Sequence, residues 1–84
     1  MHSLTPGEAK FEDHWLPPPA PKLSPKAIRA IRARLRVSQN VFGRLLNVPV
    51  ITIAKWEAGD RTPSGAALRL LEIVKHSPEF LRSR

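Results

Sequence analysis

Two aliphatic residues, a threonine and a lysine open a short predicted helix and could contact the base edges of DNA. These residues are Val50, Ile51, Thr52 and Lys55. Aliphatic side chains can pack on thymine C5-methyl groups, while hydroxyl and ammonium groups can bond bases or phosphates. Gln39, at the start of the preceding predicted helix, is placed to bond a phosphate with help from the helix dipole. A protein interface or partial burial in the core is the alternative for Val50 and Ile51.

Residues 38–59 predict two short helices joined by a tight turn, and this pair positions the candidate contacts. Ser38 can cap the first helix, and Asn47 can adopt the left-handed conformation that ends it. Gly43 is small where the second helix must cross closely. The first helix is expected to bury one apolar stripe, formed by Val41, Phe42, Leu45 and Leu46. The pattern predicts a helix-turn-helix whose second helix projects its N-terminus into a DNA major groove.

The second helix of the pair carries an acid, Glu57, beside residues that are expected to be buried. Ile53 and Trp56 are three residues apart on its inward face, and a lone carboxylate next to them would be unfavourable. Arg32, which follows Ile31 on the helix before the pair, is the predicted partner. We therefore expect a partly buried ion pair between Arg32 and Glu57. Two solvated charges are the alternative.

The remaining local signals predict five short helices and no strand, so the expected fold class is all-α. Ser24 and Pro25 supply a cap and a first helical residue, Gly59 ends the third helix, and Ser64 caps the fourth. The pair Ser77-Pro78 starts a short last turn. The expected helices span about 25–36, 39–46, 50–58 and 65–76, followed by the turn after Pro78.

Apolar residues at helical spacing define the faces that the first and fourth helices should bury. The first helix places Ile28, Ile31 and Leu35 on one face. The fourth helix has a stripe formed by Ala67, Leu70, Leu71 and Val74. Leu68 and Ile73 fall off that stripe and are expected to be exposed.

Proline content separates an N-terminal tail from the rest of the chain. Five of the nine prolines fall in residues 1–24, among them the run Pro17-Pro18-Pro19. Such a segment should be extended rather than helical. We therefore expect an extended Pro-rich tail at residues 1–23 and one domain at residues 24–84.

The tail and the domain also differ in charge. Residues 1–21 hold one lysine and three acids, a net charge of −2; because the whole chain carries +7, residues 22–84 carry +9. A small domain of such positive charge suits a polyanionic partner, and nucleic acid is the first candidate. A surface charge that only improves solubility is the alternative.

Several functional classes lack the residues that they need. The chain has no cysteine, and His2, His14 and His76 lack metal-ligand spacing, so neither a metal nor another cofactor is expected. A nucleophile elbow and a Gly-rich phosphate loop are both missing, so we do not expect an enzyme. The chain shows no apolar run long enough for a membrane span and no signal peptide, and a cytoplasmic protein is expected.

Two motifs make the chain resemble a known family. The first resembles the Cro/C1-type (XRE family) helix-turn-helix and consists of Ser38-Gln39, Phe42, Val48, Val50, Thr52-Ile53, Trp56-Glu57 and Gly59. The second resembles HigA-type antitoxins of type II toxin–antitoxin pairs and consists of Arg61, Pro63-Ser64-Gly65, Ala67-Leu68 and Leu70-Leu71. Together the motifs cover about residues 25–81.

The resemblance implies a homodimer that binds a palindromic operator in double-stranded DNA and represses its own operon. It also implies a partner ribonuclease toxin of the HigB type. The residues at the family's DNA-contact positions are Gln39, Val50, Ile51, Thr52 and Lys55. Arg32 and Glu57 match the internal ion pair of the family. Ser38, Arg44 and Arg61 complete the expected DNA-binding set, the two arginines by contacting phosphates.

One position departs from the family pattern. Pro49 stands where the family usually has a serine that caps the second helix of the pair. Pro49 could instead be the first helical residue, with Val48 in the cap position. The start of this helix and its phosphate contact depend on which arrangement the chain adopts.

Two aromatic residues, Phe11 and Trp15, lie among acids and prolines in a tail that cannot form its own core. The expected partner-binding residues are these two, with Trp15 as the anchor on a basic, RNA-binding surface of the toxin. A solvated leader is the alternative. If the tail is inert, Leu68, Ile73 and Phe80 become the candidates for dimer or toxin contacts.

The expected function is thus a sequence-specific DNA-binding antitoxin without catalysis of its own. A stand-alone repressor of a phage or mobile element is one alternative, and the absence of a neighbouring toxin gene would favour it. A protein-interaction inhibitor with a vestigial helix-turn-helix is another. The presence of Gln39 and Lys55 in the motif argues against the last of these.

Overall fold

The computed structural model describes residues 16–82, and all regular structure in them is helical. Four helices of at least two turns precede a single helical turn: α1 Pro25–Leu35, α2 Gln39–Leu46, α3 Val50–Ala58, α4 Gly65–His76 and α5 Glu79–Arg82. The all-α prediction is confirmed for this part of the chain. In the same residues, no helix is long and apolar enough to cross a membrane. Phe11 and Trp15 lie outside the described residues.

Serine caps begin the first two helices, as the sequence predicts. Ser24 Oγ accepts a hydrogen bond from the Ala27 N–H at 3.1 Å. Ser38 Oγ accepts one from the Val41 N–H, also at 3.1 Å. Each bond satisfies an N–H group that has no partner inside its helix, so both helix starts are fixed locally.

Left-handed residues end the first three helices. Asn47 ends α2 with a φ of 59°, and Gly59 ends α3 with a φ of 87°, both at the predicted positions. α1 ends at Leu35, one residue earlier than expected, because Arg36 is itself left-handed with a φ of 60°. The Arg36 N–H donates back to carbonyl groups in the last turn of α1.

α3 and α4 begin at the predicted residues, but the expected caps of both helices need correction. Pro49 is not the first residue of α3, and Val48 is not its cap, because the Pro49 ψ of 143° is extended and the helix begins at Val50. Proline has no side-chain acceptor, so α3 has no side-chain cap. Ser64 occupies the cap position of α4, but its side chain makes no capping hydrogen bond.

The core is built around α3, which packs against both α1 and α2, while α4 packs against α1. The buried apolar residues are Leu23, Ile28, Ile31, Leu35, Phe42, Leu46, Ile53, Trp56, Leu68, Leu71 and Val74. α1 contributes the three residues that its spacing predicts. The position of α3 is therefore fixed from two sides by apolar packing.

α2 buries a narrower stripe than predicted. Phe42 and Leu46 are buried, whereas Val41 and Leu45 are exposed. Residues four apart share one face of a helix, so Phe42 and Leu46 form one row and Val41 and Leu45 the next. Only the first row faces the core.

α4 is rotated on the core relative to the predicted stripe. Leu68, which was expected to be exposed, is buried with Leu71 and Val74. Ala67 and Leu70 are only partly buried at the edge of the core. The buried row follows i, i+3, i+6 spacing because this side of α4 faces the rest of the domain. Ile73 is exposed, as predicted.

The packed unit begins before residue 24. Leu23 is only 7% exposed and belongs to the core, and Ala20 packs against it. The last residues of the expected tail are therefore part of the folded domain.

Gly43 lies where α2 and α3 approach each other. A Cβ atom at this position would lie 2.6 Å from the carbonyl oxygen of Val48 and 3.4 Å from a side-chain carbon of Ile53. The Gly43 carbonyl also accepts a 2.8 Å hydrogen bond from the Val48 N–H. Because the closest atom belongs to the backbone, a side-chain rotation cannot relieve the contact. The glycine thus sets how closely the turn approaches α2.

We expect Gly43→Ala to lower the free energy of unfolding by roughly 1–3 kcal/mol, as overpacking does. At an open helical position the same change would stabilise by up to about 1 kcal/mol, because alanine is the better helix former. A loss of stability in Gly43→Ala, rather than a gain, therefore indicates that the turn lies close to α2 at this position. Urea unfolding of this variant beside Asn40→Ala, an exposed position on α2, measures it. A Gly43→Ala protein as stable as the natural one would contradict the contact.

Candidate nucleic-acid interface

The outward face of α3 carries the side chains that we expect to contact base edges. Ile51 is 61% exposed and Val50 is 43% exposed. Lys55 is exposed, and Thr52 is half-buried. Because residues three and four apart are neighbours on a helix, the side chains at 51, 52 and 55 form one surface. The structure thus brings these residues together at the N-terminal half of α3.

Buried residues on the opposite side of α3 hold that surface in place. Ile53 is fully buried and Trp56 nearly so, and the two lie three residues apart on the inward face. Their packing against α1 and α2 prevents α3 from rotating about its axis. The outward face therefore keeps a fixed orientation on the domain.

The N-terminus of α3 has no side-chain partner of its own. Pro49 supplies no capping group, and the first turn contains no acid. The Pro49 carbonyl accepts hydrogen bonds from the Thr52 and Ile53 N–H groups at 2.9 and 3.2 Å. The N–H groups of Val50 and Ile51 have no partner within the helix. The positive end of the helix dipole is thus open to an anion such as a phosphate.

Two open grooves, each lined by an arginine, lie near α3. The groove between α3 and α4, of about 480 Å³, is lined by Thr52, Trp56, Arg61, Thr62, Pro63, Ser64 and Ala67. The groove at the turn between α2 and α3, of about 360 Å³, is lined by Gly43, Arg44, Asn47, Val48 and Pro49. Arg44 and Arg61 are both exposed. One cation therefore lies in the same groove as Thr52 of α3, and the other lies at the turn that leads into this helix.

Glu57, at the end of α3, is the centre of a buried polar network. Arg32 of α1 binds it with two bonds, from Nε to Oε2 at 2.7 Å and from Nη2 to Oε1 at 2.9 Å. Gln39 of α2 donates a third bond, from Nε2 to Oε1 at 3.0 Å. The Glu57 side chain is only 3% exposed. One carboxylate therefore joins the first three helices.

Ser38 and Gln39 lie at the N-terminus of α2, where we expect contacts to DNA, but both side chains already have partners in the protein. Ser38 Oγ caps its own helix, and the Gln39 amide nitrogen binds Glu57. A phosphate at this helix end would have to use the second amide hydrogen of Gln39 or the free backbone N–H groups of the first turn.

Two further contacts of this network were not expected from the sequence. Arg29 Nη1 donates to the carbonyl oxygen of Glu57, and Arg32 Nη1 donates to the Val37 carbonyl at 3.0 Å. Arg29 and Arg32 are three residues apart on α1, so they face the same neighbour. That spacing is the signal that could have identified Arg29. Arg32 thus also fixes the loop between α1 and α2.

The network determines the protonation of Glu57. Burial acts to raise the pKa of this carboxyl group. The hydrogen bonds from Arg32 and Gln39, together with the charges of Arg32 and Arg29, outweigh burial and lower the pKa below its usual value. The same hydrogen bond to Glu57 raises the pKa of Arg32. Both partners are therefore ionised at neutral pH.

Known proteins resemble this chain over the same helices. The sequence profile of a family described as Helix-turn-helix matches residues 28–74. Antitoxin HigA-2 of Vibrio cholerae serotype O1 is 41% identical over 59 residues, which are 70% of this chain and 57% of that protein. Repressor protein C2 of Salmonella phage P22 is 31% identical over 61 residues, which are 71% of this chain and 28% of that protein.

The chain therefore spans less than two thirds of the length of either relative. The matches confirm the resemblance to Cro/C1-type helix-turn-helix domains and to HigA-type antitoxins.

We expect Glu57→Ala to lower the free energy of unfolding by roughly 3 kcal/mol at neutral pH. The change leaves Arg32, which is 24% exposed, without its counter-charge, so the loss falls at the lower end of the range for buried pairs. Glu72→Ala is the matched control, because it breaks the more exposed pair with Arg69 on α4 and should cost about 1 kcal/mol or less. Urea unfolding compares the two, and equal stability of Glu57→Ala and the natural chain would contradict the network.

The pH dependence of unfolding should change in the same variant. Folding lowers the pKa of Glu57, so the ionised carboxylate stabilises the folded state. This contribution is complete at pH values above the pKa that the carboxyl group has in the unfolded chain. The contribution is lost as the pH falls through the lower pKa of the folded state. The loss of stability on acidification should therefore be smaller in Glu57→Ala than in Glu72→Ala.

Proposed function

The chain belongs to the helix-turn-helix family, and on this premise we propose that it is a sequence-specific DNA-binding antitoxin. In this proposal it binds an operator in front of its own gene, represses that operon and neutralises a partner ribonuclease toxin of the HigB type. Different regions of the chain serve DNA binding and toxin binding.

The exposed aliphatic residues of α3 are the observation that supports DNA binding most. Ile51 is the most exposed large apolar side chain in the described residues, and Val50 lies beside it. Exposed apolar groups on a rigid surface favour contact with a partner. Placed in a major groove, Val50 and Ile51 pack on thymine methyl groups, while Thr52 and Lys55 bond bases or phosphates.

Arg44 and Arg61 supply the part of the affinity that does not depend on sequence. Both are exposed, Arg61 in a groove with Thr52 and Arg44 at the turn before α3, where each can contact the phosphates that border a major groove. Contacts of this kind release counterions from DNA, so affinity falls steeply as salt rises. The net charge of +9 on residues 22–84 favours the same partner.

A homodimer follows from the size of the recognition surface. One short helix contacts only about four base pairs, too few to select an operator in a genome. Two copies with their α3 helices about 34 Å apart meet successive turns on one face of the duplex, so the operator is a palindrome.

Toxin binding is supported by the similarity to Antitoxin HigA-2 and by the composition of residues 1–15. That segment holds two aromatic residues, Phe11 and Trp15, among acids. Acidic side chains suit the cationic surface of an RNA-cleaving toxin, and a tryptophan such as Trp15 suits the centre of such an interface. We assign toxin binding to residues 1–15 and DNA binding to α3.

A stand-alone repressor is the second candidate, because the chain is also similar to Repressor protein C2. Co-expression with the product of the neighbouring gene separates the two. A neighbour that stops growth alone and is neutralised in a stable complex with this chain supports the antitoxin. A neighbour that has no effect and does not bind supports the stand-alone repressor.

We expect the exposed residues of α3 and the flanking arginines to affect DNA binding differently. Ile51→Ala and Thr52→Ala should each cost roughly 1–3 kcal/mol and relax the preference at one base pair, whereas Arg44→Ala should weaken all sequences alike. Anisotropy titrations with DNA from upstream of the gene and with scrambled DNA, at two salt concentrations, measure both effects.

Lys55→Ala has a matched control in Lys75→Ala, which removes the same charge from an exposed position on α4. Only the first should weaken selective binding. If Thr52→Ala and Lys55→Ala both bound the operator like the natural chain, α3 would not be the recognition helix.

Deleting residues 1–15 should abolish toxin neutralisation and leave operator affinity unchanged. The deletion leaves Ala20 and Leu23 in place, so the core stays intact. Calorimetric titration with the toxin and anisotropy with operator DNA test the two activities separately. Equal toxin affinity with and without these residues would assign the toxin site to the folded domain.

A further inference from the structure

The segment that leads into α1, residues 16–23, is attached to the folded domain, and we call it the strap. Leu23 lies in the core, and Ala20 packs against the core three residues earlier. The Pro18 carbonyl accepts a hydrogen bond from Nη2 of Arg69 on α4. The strap is therefore held at its C-terminal end by apolar burial and near its N-terminal end by one arginine.

Arg69 has the chemistry that a proline run requires. Proline has no N–H, so Pro17-Pro18-Pro19 offers only carbonyl acceptors and cannot pair as a strand in a sheet. The guanidinium group is a planar set of donors. Its Nη1 binds Glu72 at 2.6 Å while Nη2 reaches Pro18. Glu72 thus orients Arg69, and Arg69 in turn holds the strap.

We propose that Arg69 is a positioning residue for toxin binding, because it holds Pro18 on α4 and so restrains the stretch of chain to which residues 1–15 are joined. This inference rests on the proposed function, in which residues 1–15 bind the toxin. The toxin-binding residues are therefore joined to a fixed point of the domain.

The bond between Arg69 and Pro18 favours toxin binding because it restricts the conformations of the strap before the toxin binds. Without the bond to Pro18, only Ala20 and Leu23 hold the strap, so the whole strap, Lys22 included, leaves the core more often and samples more conformations. Toxin binding must then order those residues, which lowers affinity without removing any contact to the toxin. DNA binding does not need the strap's N-terminal end and should not change.

The test uses Arg69→Met in the full chain. Methionine keeps an unbranched apolar stem but has no donor for Pro18. Glu72→Gln is the matched control, because it removes the charge that Arg69 binds and leaves the Arg69–Pro18 bond possible. For each variant we would measure the rate of tryptic cleavage after Lys22, the toxin affinity and the operator affinity.

For Arg69→Met we expect cleavage after Lys22 to be several-fold faster and the toxin Kd to rise roughly five- to tenfold, the range for losing one exposed charged hydrogen bond. Operator affinity should equal that of the natural chain. Glu72→Gln should change cleavage and toxin Kd by less than Arg69→Met does.

Three outcomes would overturn the inference. Unchanged cleavage and toxin affinity in Arg69→Met would mean that the bond does not hold the strap. Faster cleavage with unchanged toxin affinity would mean that the strap does not position residues 1–15 for toxin binding. Loss of operator binding in Arg69→Met would assign Arg69 to the stability of the whole domain. If the natural chain bound no toxin, the proposed function itself would fail, and the cleavage rates would still report on the bond.

Discussion

The arrangement of the first three helices depends on one buried carboxylate. Glu57 sits at the end of α3 and receives bonds from Arg32 of α1 and Gln39 of α2. A buried charge without partners is strongly unfavourable, so each helix must present its donor at the correct distance. Apolar packing by Ile53 and Trp56 brings the helices together and sets which face of α3 is inward, but packing alone restricts the angles between the helices less strictly. The network fixes their angles.

The fixed angles matter because they leave the other side of α3 free. Val50 and Ile51 remain exposed at the start of a helix that cannot rotate inward to bury them. The uncapped N-terminus and the two exposed arginines, Arg44 and Arg61, border the same surface. A surface with an apolar centre, a cationic rim and a positive helix end matches the methyl groups and phosphates of a major groove. Selective contact with DNA thus depends on a rigid arrangement of the first three helices.

Several features fixed by local chemistry were predicted from the sequence, whereas some of those fixed by tertiary packing were not. Caps such as Ser38 and helix ends such as Asn47 and Gly59 depend on a few neighbouring residues, so the bounds of α2 and α3 follow from the sequence. The burial of Leu68 depends on how α4 rotates against α1, which spacing along α4 does not specify. In the candidate site, the partner of Glu57 was predictable because a buried acid needs a cation. The bond from Arg69 to Pro18 joins residues far apart in sequence and left no local signal.

We infer that the surface around the N-terminal half of α3 contacts DNA. Backbone amide chemical shifts of the full chain, followed while DNA from upstream of its gene is added, locate the contact. We expect the largest changes in residues 50–55 and at Arg44 and Arg61. Amides of α4 beyond its first turn should change little. Shifts confined to α4 and α5, with residues 50–55 unaffected, would contradict this inference.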